Sequence, residues 1–503
     1  MENSLFKNKL ILKILDKYKP IWAIGHLNNL AGWDMQVNMP EEGIEARGEA
    51  IAQASSLTQK LFLEEEFSSL IQRAGKENGL NDYEKGILRI LKRSAKQFKK
   101  LPKEFLEEFN KTTTEAYSVW DKAKKQNKFS LFSPHLEKIV DLSIKKAEYL
   151  GYREHPYDAL LDEFEDGLTT KDVESFFDSI RQPLKNILAR IKKSSEYKEK
   201  HPLEEESYDL DKMKMLNSKV LSLLNPYPKR LRMDISSHPF TSGLSSSDVR
   251  ITTRYEGKDF ARSLFSTVHE FGHALYELQC SPKLDYSPIS GGSGMILHES
   301  QSRFWENIIG RTKSFIELFK EDITGLNPKF KDYSTEDIYQ YFNLVKPSLI
   351  RTEADEVTYH FHIMIRFELE KALIGGKIKV KDLPRAWNEK YEEYLGVSPK
   401  NDTEGVLQDV HWSSGYIGYF PTYSMGTFLS GMINTELEKE FGKLEGMIKS
   451  KEGITKIQSW LKDKIHQYGS TYTMKDLTRK SFKKDFDPSY FISYLEKKYG
   501  EIY

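Results

Sequence analysis

The chain has 503 residues, and 75 Lys and Arg balance 75 Asp and Glu, so the formal net charge is zero. A balanced charge argues against bulk electrostatic attraction to nucleic acid or anionic membranes, although local charged patches would not show in the total. No stretch approaches the ~20 apolar residues of a membrane span, and Met1–Leu10 lacks the apolar core of a secretory signal. The single cysteine, Cys280, excludes an intrachain disulfide. We therefore expect a cytoplasmic protein that binds neither nucleic acid nor membrane.

Helical periodicity dominates the chain. The β-branched run Val249–Thr253 is the best strand candidate and predicts a small sheet. Length alone suggests about three domains, but no linker interrupts the pattern, which predicts one mostly helical body. The 3.6-residue spacing of apolar residues predicts helices over Glu84–Lys99, Lys103–Lys124, Leu136–Leu150, Ser175–Lys193, Phe260–Leu278, Leu297–Arg311 and Arg351–Leu373.

Two histidines and a glutamate stand at metal-binding spacing in one predicted helix, as His269-Glu270-Phe271-Gly272-His273. Four residues of α-helix turn about 40° and rise about 6 Å, so both imidazoles leave one face and can bind one zinc ion. Glu270 is offset about 100° from His269, so it can act as a general base on a water at the metal. The alternative is a chance match, which the helical context disfavours.

A catalytic zinc site needs a third protein ligand. The metzincin pattern would require glycine at position 276 and histidine at position 279, but this chain has Tyr276 and Gln279, so that class is excluded. Glu277 lies a further turn along the same helix, too far to converge with the first histidine. Glu299 is the better candidate, because it lies on the next predicted helix, which can pack across the first. Without the metal motif it would be an ordinary solvated glutamate.

With these residues the chain resembles the carboxypeptidase Taq family of zinc metallocarboxypeptidases over nearly its whole length. Six motifs follow one another in the family's order from residue 238 onward, whereas the early segment departs from the pattern at Met35, Val37 and Asn38. The matching segments are Trp33-Asp34, Met39-Pro40, Glu45-Ala46-Arg47, Tyr157-Asp158-Ala159-Leu160-Leu161-Asp162, His238-Pro239-Phe240, Asp248-Val249-Arg250-Ile251-Thr252, the metal motif, His298-Glu299-Ser300-Gln301, Ile350-Arg351-Thr352-Glu353-Ala354-Asp355 and Gly405-Val406-Leu407-Gln408-Asp409-Val410-His411-Trp412.

The resemblance implies a mainly α fold, a single large helical body with a long deep substrate groove and a small β-sheet near the active site. It implies one catalytic domain over residues 1–503, in which an N-terminal helical segment of about residues 1–75 flanks or covers the groove. It also implies a zinc ion that cobalt can replace, a homodimer, and removal of single amino acids from peptides with a free C-terminus.

An enzyme that removes C-terminal residues must bind a free carboxylate, and arginine pairs with carboxylate in bidentate fashion. By the match to the family's motif, we expect Arg351 to do this. The resemblance assigns stabilisation of the charge on the carbonyl oxygen to His411 and Tyr423. It also implies that His238 and Arg250 belong to the substrate-binding residues.

Each of these assignments has an ordinary structural alternative. His411 and Tyr423 could be buried and hydrogen-bonded without a catalytic role, and His238 could merely pack beside its aromatic neighbour. Arg351 could be solvated or could pair with a neighbouring glutamate. Asp355 stands at i+4 from Arg351 in the predicted helix, so it either orients a metal-binding histidine or forms an ion pair with Arg351.

Two other functions also fit the metal motif. A zinc oligopeptidase would use the same chemistry to cut inside short peptides, and a catalytically dead helical binding protein would use none of it. The Arg351→Ala variant distinguishes a carboxypeptidase from an oligopeptidase, because it would impair C-terminal trimming and spare internal cleavage. Metal-dependent release of a C-terminal amino acid would exclude the second.

Overall fold

The computed structural model describes residues 5–204 and 206–503. Helices make up most of these residues, as the periodicity predicts. In chain order, the α-helices of the described residues are α1 (Lys9–Val37), α2 (Ile44–Leu63), α3 (Glu65–Ala74), α4 (Asp82–Lys100), α5 (Lys103–Lys125), α6 (Phe129–Leu150), α7 (Tyr157–Phe164), α8 (Thr170–Lys193), α9 (Leu210–Leu224), α10 (Phe260–Gln279), α11 (Met295–Arg303), α12 (Lys313–Thr324), α13 (Thr335–Phe342), α14 (Tyr359–Ile374), α15 (Leu383–Leu395), α16 (Pro421–Phe441), α17 (Leu444–Ile448), α18 (Lys451–Lys464), α19 (Met474–Phe482) and α20 (Ser489–Ile502).

Shorter elements connect the helices. A π-helical turn, Phe304–Ile309, continues α11 directly. The 3-10 turns of the described residues are Glu41–Gly43, Pro202–Glu204, Pro282–Leu284, Pro328–Phe330, Arg351–Glu353, Val380–Asp382, His411–Ser414 and His466–Thr471.

The sheet has three strands in the order β1-β3-β2, where β1 is Leu231–Ile235, β2 is Thr241–Ser245 and β3 is Asp248–Thr253. The central strand β3 pairs in parallel with β1 and antiparallel with β2. Val249 and Ile251 of β3 are fully buried and share a core with Ala274 and Leu278 of α10. The predicted strand Val249–Thr253 and the predicted small sheet are therefore confirmed, and the sheet directly precedes α10 in the chain.

The described residues cluster into two compact units, each assembled from three separate stretches of chain. Unit 1 comprises Met1–Lys99, His201–Phe342 and Ser430–Phe486. Unit 2 comprises Lys100–Lys200, Asn343–Leu429 and Asp487–Tyr503. The mainly α class with one small sheet is confirmed, whereas a single undivided catalytic domain with a long groove stays a prediction.

The N-terminal helices belong to unit 1, where α1 packs against α2, α3 and β2. The ring of His26 in α1 is hydrogen-bonded to the carbonyl of Leu244 in β2 over 3.0 Å. Whether residues 1–75 cover a groove stays a prediction. Within the described ranges, no helix has both the length and the apolar composition that a membrane span requires.

One predicted helix begins later than its periodicity suggested. Residues 351–358 form a 3-10 turn and a loop, and α14 starts only at Tyr359. Asp355 explains the late start, because its carboxylate accepts hydrogen bonds from the backbone N–H groups of Lys346, Val357 and Thr358. Such a capping side chain competes with helical backbone bonding. The predicted i,i+4 pairing of Asp355 with Arg351 is therefore wrong, since the two residues do not share a helix.

Candidate functional site

Helix α10 carries His269 and His273, and α11 carries Glu299, all within unit 1. Glu299 Oε2 lies 3.7 Å from His269 Nε2 and 3.6 Å from His273 Nε2. One ligand atom from each residue lies within 4.8 Å of the others, in a group that could hold a metal ion. The three predicted ligands therefore converge, although Glu299 is remote from the histidines in sequence.

Gly272 allows this convergence. A Cβ atom at position 272 would lie 2.6 Å from the carbonyl oxygen of Gln301 and 2.6 Å from Cα of Ser302. No side chain fits there, so a glycine inside the motif lets the backbones of α10 and α11 approach until Glu299 reaches the histidines. The requirement for glycine comes from the partner helix rather than from α10, where glycine costs about 1 kcal/mol in helix propensity.

Glu270 is buried at 6 % exposure on the same helix. The hydroxyl of Thr241 in β2 donates to Glu270 Oε2 over 2.6 Å and lies 3.1 Å from the backbone carbonyl of Glu270. The three ligand atoms that converge belong to His269, His273 and Glu299, and Glu270 is not one of these residues. The carboxylate of Glu270 is thus held from the strand side and lies beside the triad, as a general base requires.

A second set of charged side chains surrounds the triad. Glu306 Oε2 lies 2.8 Å from His269 Nδ1, on the opposite side of the ring from Nε2. Arg303 donates to Glu299 Oε1 over 2.7 Å and to Glu306 Oε2 over 3.2 Å. Arg311 reaches Glu306 Oε1 at 3.4 Å. A carboxylate on Nδ1 orients the ring and leaves Nε2 available to a metal.

Sequence reasoning did not identify Glu306 or Arg303. Glu306 lies in the π-helical turn, and such turns are frequent at functional sites because they shift one residue out of α-helical register. Arg303 bonds to both glutamates, so the three side chains lie together, and their spacing of i, i+4 and i+7 is close to the α-helical repeat. That periodicity was the available signal.

The charges perturb one another strongly. Burial opposes ionisation, but Arg303 and the two imidazoles hold the pKa of Glu299 well below its usual range. Burial likewise opposes ionisation of Glu306, and Arg303 and His269 lower its pKa to about 2. Burial lowers the pKa of His273. Both carboxylates are therefore ionised at neutral pH, which is the form that a metal ion binds.

The donor set fits a zinc ion. Tetrahedral ligands at about 2.0–2.1 Å from zinc lie about 3.4 Å apart, close to the separations of Glu299 Oε2 from the two imidazole nitrogens. Glu299 offers a single free oxygen, because Arg303 occupies Oε1. Two imidazoles and one carboxylate oxygen match the open three-ligand pattern of catalytic zinc sites.

In unit 2, positively charged side chains cluster around Arg351, which is 7 % exposed. Asp409 Oδ1 accepts from Arg351 Nε over 2.9 Å, and Asp409 Oδ2 accepts from Arg366 Nε over 2.6 Å. Gln408 Oε1 accepts from the backbone N–H of Arg351 and from Arg366 Nη2. Two buried guanidinium groups thus share one aspartate. Sequence reasoning named Arg351 and missed Arg366, which is fully buried in α14.

Despite its burial, the pKa of Asp409 lies well below its usual range, because both guanidinium groups favour the carboxylate. Tyr359 accepts a hydrogen bond from Arg351 Nη1 over 3.3 Å, and the ring of Tyr423 lies 5.1 Å from the guanidinium carbon. Asp409 and Tyr359 therefore hydrogen-bond to Arg351, and the Tyr423 ring packs against its guanidinium group. No glutamate contributes to these contacts, so the predicted alternative, a pair with a neighbouring glutamate, is not what the structure has.

His411 and Tyr423 lie together in unit 2. His411 Nε2 is 3.1 Å from the Tyr423 hydroxyl, and burial together with the charge of Arg351 lowers the pKa of His411 to about 3. The imidazole is therefore neutral at pH 7. A neutral imidazole can still donate one N–H, as a group that stabilises a developing oxyanion must.

The segment after His411 is anchored by a buried carboxylate. Glu370 of α14 accepts hydrogen bonds from Trp412 Nε1 over 2.7 Å, from Gly418 N over 2.9 Å and from the hydroxyl of Tyr157 over 2.6 Å. Burial raises the pKa of Glu370 to about 7. The carboxylate ties the turn that carries His411 to the helix core of unit 2.

The two remaining predicted site residues lie in unit 1. Arg250 in β3 pairs with Asp248 at 3.0 Å, and its guanidinium carbon lies 4.3 Å from the ring of Trp33. His238 lies in the turn between β1 and β2, where its carbonyl accepts from Ser236. Their substrate-binding roles stay predictions. Of the nine predicted residues, unit 1 holds the triad, Glu270 and these two, and unit 2 holds the other three.

Comparison with known proteins extends these observations to the whole chain. The family model described as carboxypeptidase Taq metallopeptidase matches residues 13–499. Thermostable carboxypeptidase 1 of Pyrococcus furiosus is 47% identical over 497 residues, covering 99% of both chains. Carboxypeptidase 1 of Bacillus subtilis is 35% identical over 495 residues, covering 98% of this chain and 97% of its own.

Solved structures agree with the sequence comparison. A structure of Pyrococcus furiosus carboxypeptidase superposes with a TM-score of 0.96 at 47% identity, covering 98% of this chain and 100% of the other. Metallocarboxypeptidase 1 of Trypanosoma cruzi gives a TM-score of 0.90 at 32% identity, covering 98% of this chain and 99% of the other.

Proposed function

The chain belongs to the carboxypeptidase Taq family of metallopeptidases and is a metallocarboxypeptidase, and on this basis we propose that it removes single amino acids from the C-terminus of peptides with a zinc ion that cobalt can replace. His269, His273 and Glu299 would hold the ion. The observation that carries this proposal is the convergence of their three ligand atoms at separations suited to tetrahedral zinc. When bound, the metal supplies a Lewis acid for the scissile carbonyl and lowers the pKa of water.

Glu270 is proposed as the general base. It would take a proton from the nucleophilic water as the oxygen attacks the carbonyl carbon, and pass that proton to the amine nitrogen as the C–N bond breaks. Its burial at 6 % exposure and its fixed hydrogen bond to Thr241 support this role. Glu306 and Arg303 would orient His269 and Glu299 from outside the triad.

Arg351 is proposed to bind the terminal carboxylate of the substrate. Arg351 and Arg366 share one carboxylate, that of Asp409, so one guanidinium charge lacks a full counter-charge. Buried charge is costly unless it is paired, and a substrate carboxylate would complete the pairing. His411 and Tyr423 are proposed to donate to the carbonyl oxygen as it becomes negative. Smaller substrate contacts are proposed for His238 and Arg250.

The decisive experiment uses an N-blocked dipeptide as the free acid and as the C-terminal amide. We expect the purified protein to release the C-terminal amino acid from the acid only. Chelator should abolish the release, and zinc or cobalt should restore it. Comparable cleavage of the amide would contradict the assignment of Arg351 and favour an oligopeptidase. Metal analysis of protein purified without added metal identifies the native ion.

We also propose a homodimer in the cytoplasm. Leu27 in α1 and Ile44 in α2 are apolar side chains that are 63% and 62% exposed, and we propose that both lie in the contact between copies. Sedimentation of the wild type and of a Leu27→Glu, Ile44→Glu variant tests the dimer. A monomeric wild type would contradict it. Cell fractionation tests the location.

A further inference from the structure

Strand β2 runs along the face of α10 that carries Glu270. Thr241 and Gly243 are two residues apart and so lie on one face of the strand, and Glu270 and Glu277 are seven apart and so lie on one face of the helix. Thr241 contacts Glu270, while a Cβ at Gly243 would lie 2.8 Å from Glu277 Oε2. The missing side chain at Gly243 therefore lets the strand approach the helix closely.

The backbone next to Thr241 is held firmly in place. The backbone N–H of Thr252 in β3 donates to the carbonyl of Phe240 over 2.9 Å, and the N–H of Phe240 donates to Thr252 Oγ1 over 3.0 Å. Thr241 itself is in register with Ile251. As a β-branched residue, threonine has few χ1 rotamers. The sheet therefore fixes the direction of the Thr241 hydroxyl.

The hydrogen bond to Glu270 is short and specific to one oxygen. The hydroxyl has a single proton, and its nearer acceptor is Oε2 at 2.6 Å rather than the helical carbonyl at 3.1 Å. A bond from a neutral hydroxyl to an ionised carboxylate is among the stronger hydrogen bonds. A carboxylate oxygen has two lone pairs and Thr241 uses one of those on Oε2. Oε1 accepts no hydrogen bond from the described residues, so it is the oxygen with both lone pairs open to a water.

We propose that Thr241 is a positioning residue that orients the carboxylate of Glu270 and reserves its Oε1 for the nucleophilic water. The proposal rests on the proposed function, in which Glu270 is the general base. Thr241 neither gains nor loses a proton, because the water proton passes to Oε1 and then to the leaving amine. Its contribution is geometric, since proton transfer requires the base within hydrogen-bond reach of the water.

The test compares Thr241→Val, which keeps the shape and removes the hydroxyl, with Thr241→Ser, which keeps the hydroxyl. We expect kcat of Thr241→Val to fall about 10-fold, with KM within about twofold because substrate contacts are untouched. Thr241→Ser should recover kcat to within about threefold of wild type. Zinc affinity, measured by competition between the metal-free protein and a chromophoric chelator, should stay unchanged in both variants.

Thr253→Val is the matched control. Thr253 is a fully buried threonine of the adjoining strand β3, and its hydroxyl bonds to Thr267 over 3.0 Å. This variant should lower the thermal midpoint and leave kcat unchanged. Equal kcat losses in Thr241→Val and Thr253→Val, or a loss of zinc affinity in Thr241→Val, would overturn the proposal.

The Glu270→Gln variant distinguishes the proposed positioning role of Thr241 from the proposed role of Glu270 as the general base. If Glu270→Gln is inactive while Thr241→Val has the kcat of the wild type, the role of Thr241 is wrong and the base assignment stands. If Glu270→Gln retains near wild-type activity, the proposed function of Glu270 itself is wrong.

Discussion

The two units each bury a charged cluster, and the two clusters have opposite excess charge. In unit 1, three glutamates (Glu270, Glu299 and Glu306) meet two arginines (Arg303 and Arg311) around two histidines. In unit 2, Arg351 and Arg366 share a single aspartate, Asp409, and these three residues form the guanidinium cluster. Buried charges are tolerated when they are paired. The first cluster suits a cation and the second suits an anion, in keeping with the proposed binding of a metal ion and of a substrate carboxylate.

The two clusters also differ in how they are assembled. The metal-binding residues come from consecutive helices, and Glu299, Arg303 and Glu306 repeat at close to helical spacing. The guanidinium cluster joins a 3-10 turn at Arg351, helix α14 at Arg366 and the segment that holds Asp409. Local periodicity therefore signals the proposed cation site, whereas only contacts between residues distant in sequence assemble the proposed anion site.

The largest expected effect comes from removing a donor of the cation site. Glu299→Ala should lose the bound metal and lower kcat/KM by about 10³-fold or more, because neither histidine can replace the lost oxygen. Metal content and hydrolysis of a blocked dipeptide are measured on the same preparation. Retention of one metal ion per chain in this variant would contradict the triad.

Removing the anion site should leave the metal in place. Arg351→Ala is expected to lower kcat/KM for a free-acid dipeptide by about 10²–10³-fold, which is typical for truncating one partner of a buried charge pair. Arg351→Lys should recover only part of the loss, because lysine lacks the planar fork. Metal content should equal that of the wild type. A loss of metal in Arg351→Ala would show that the two clusters are not functionally separable.

Weakening the support of the cation site should have an intermediate effect. Glu306→Gln is expected to lower metal affinity about 10–100-fold, because a neutral amide orients His269 less strongly. Competition with a chromophoric chelator measures the metal affinity of each variant. Glu317→Gln, which changes a half-exposed carboxylate of the same unit, is the control and should bind metal like the wild type. Equal affinities in both variants would remove Glu306 from the metal site.

The smallest effect concerns the pH dependence of stability. Burial raises the pKa of Glu370 to about 7 from 4.5, so its contribution to stability is fully present below pH 4.5 and is lost as pH rises through 7. Glu306, with a pKa lowered to about 2, has the opposite sign and loses its contribution only as pH falls below 4.5.

Glu370→Gln cannot titrate at that position. The thermal midpoint of the wild type should therefore fall further between pH 5 and pH 8 than that of the variant. We expect the two falls to differ by about 1–3 °C. Parallel midpoint curves for the two proteins would contradict a raised pKa at Glu370. Differential scanning calorimetry of metal-free protein at a series of pH values makes the comparison.

Much of the fold and of the metal site could be predicted because the signals are local. Apolar spacing located the helices, and a four-residue interval put His269 and His273 on one face. The helix predicted over Arg351–Leu373 began too early, because apolar periodicity does not register a capping carboxylate such as Asp355. The contact of Glu306 with His269 was not predicted, because a charged residue on a helix usually faces solvent and the sequence does not show which histidine ring lies beside it.

By itself the sequence determined which side chains can bind a metal or a carboxylate, since these capacities belong to imidazole, carboxylate and guanidinium groups. Only the tertiary structure decided which of them meet. Asp409 lies 58 residues from Arg351, and Thr241 lies 29 residues from Glu270. Such pairings depend on how helices and strands pack. That packing is set by long-range fit, as at Gly272, where the close approach of α11 leaves no room for a side chain.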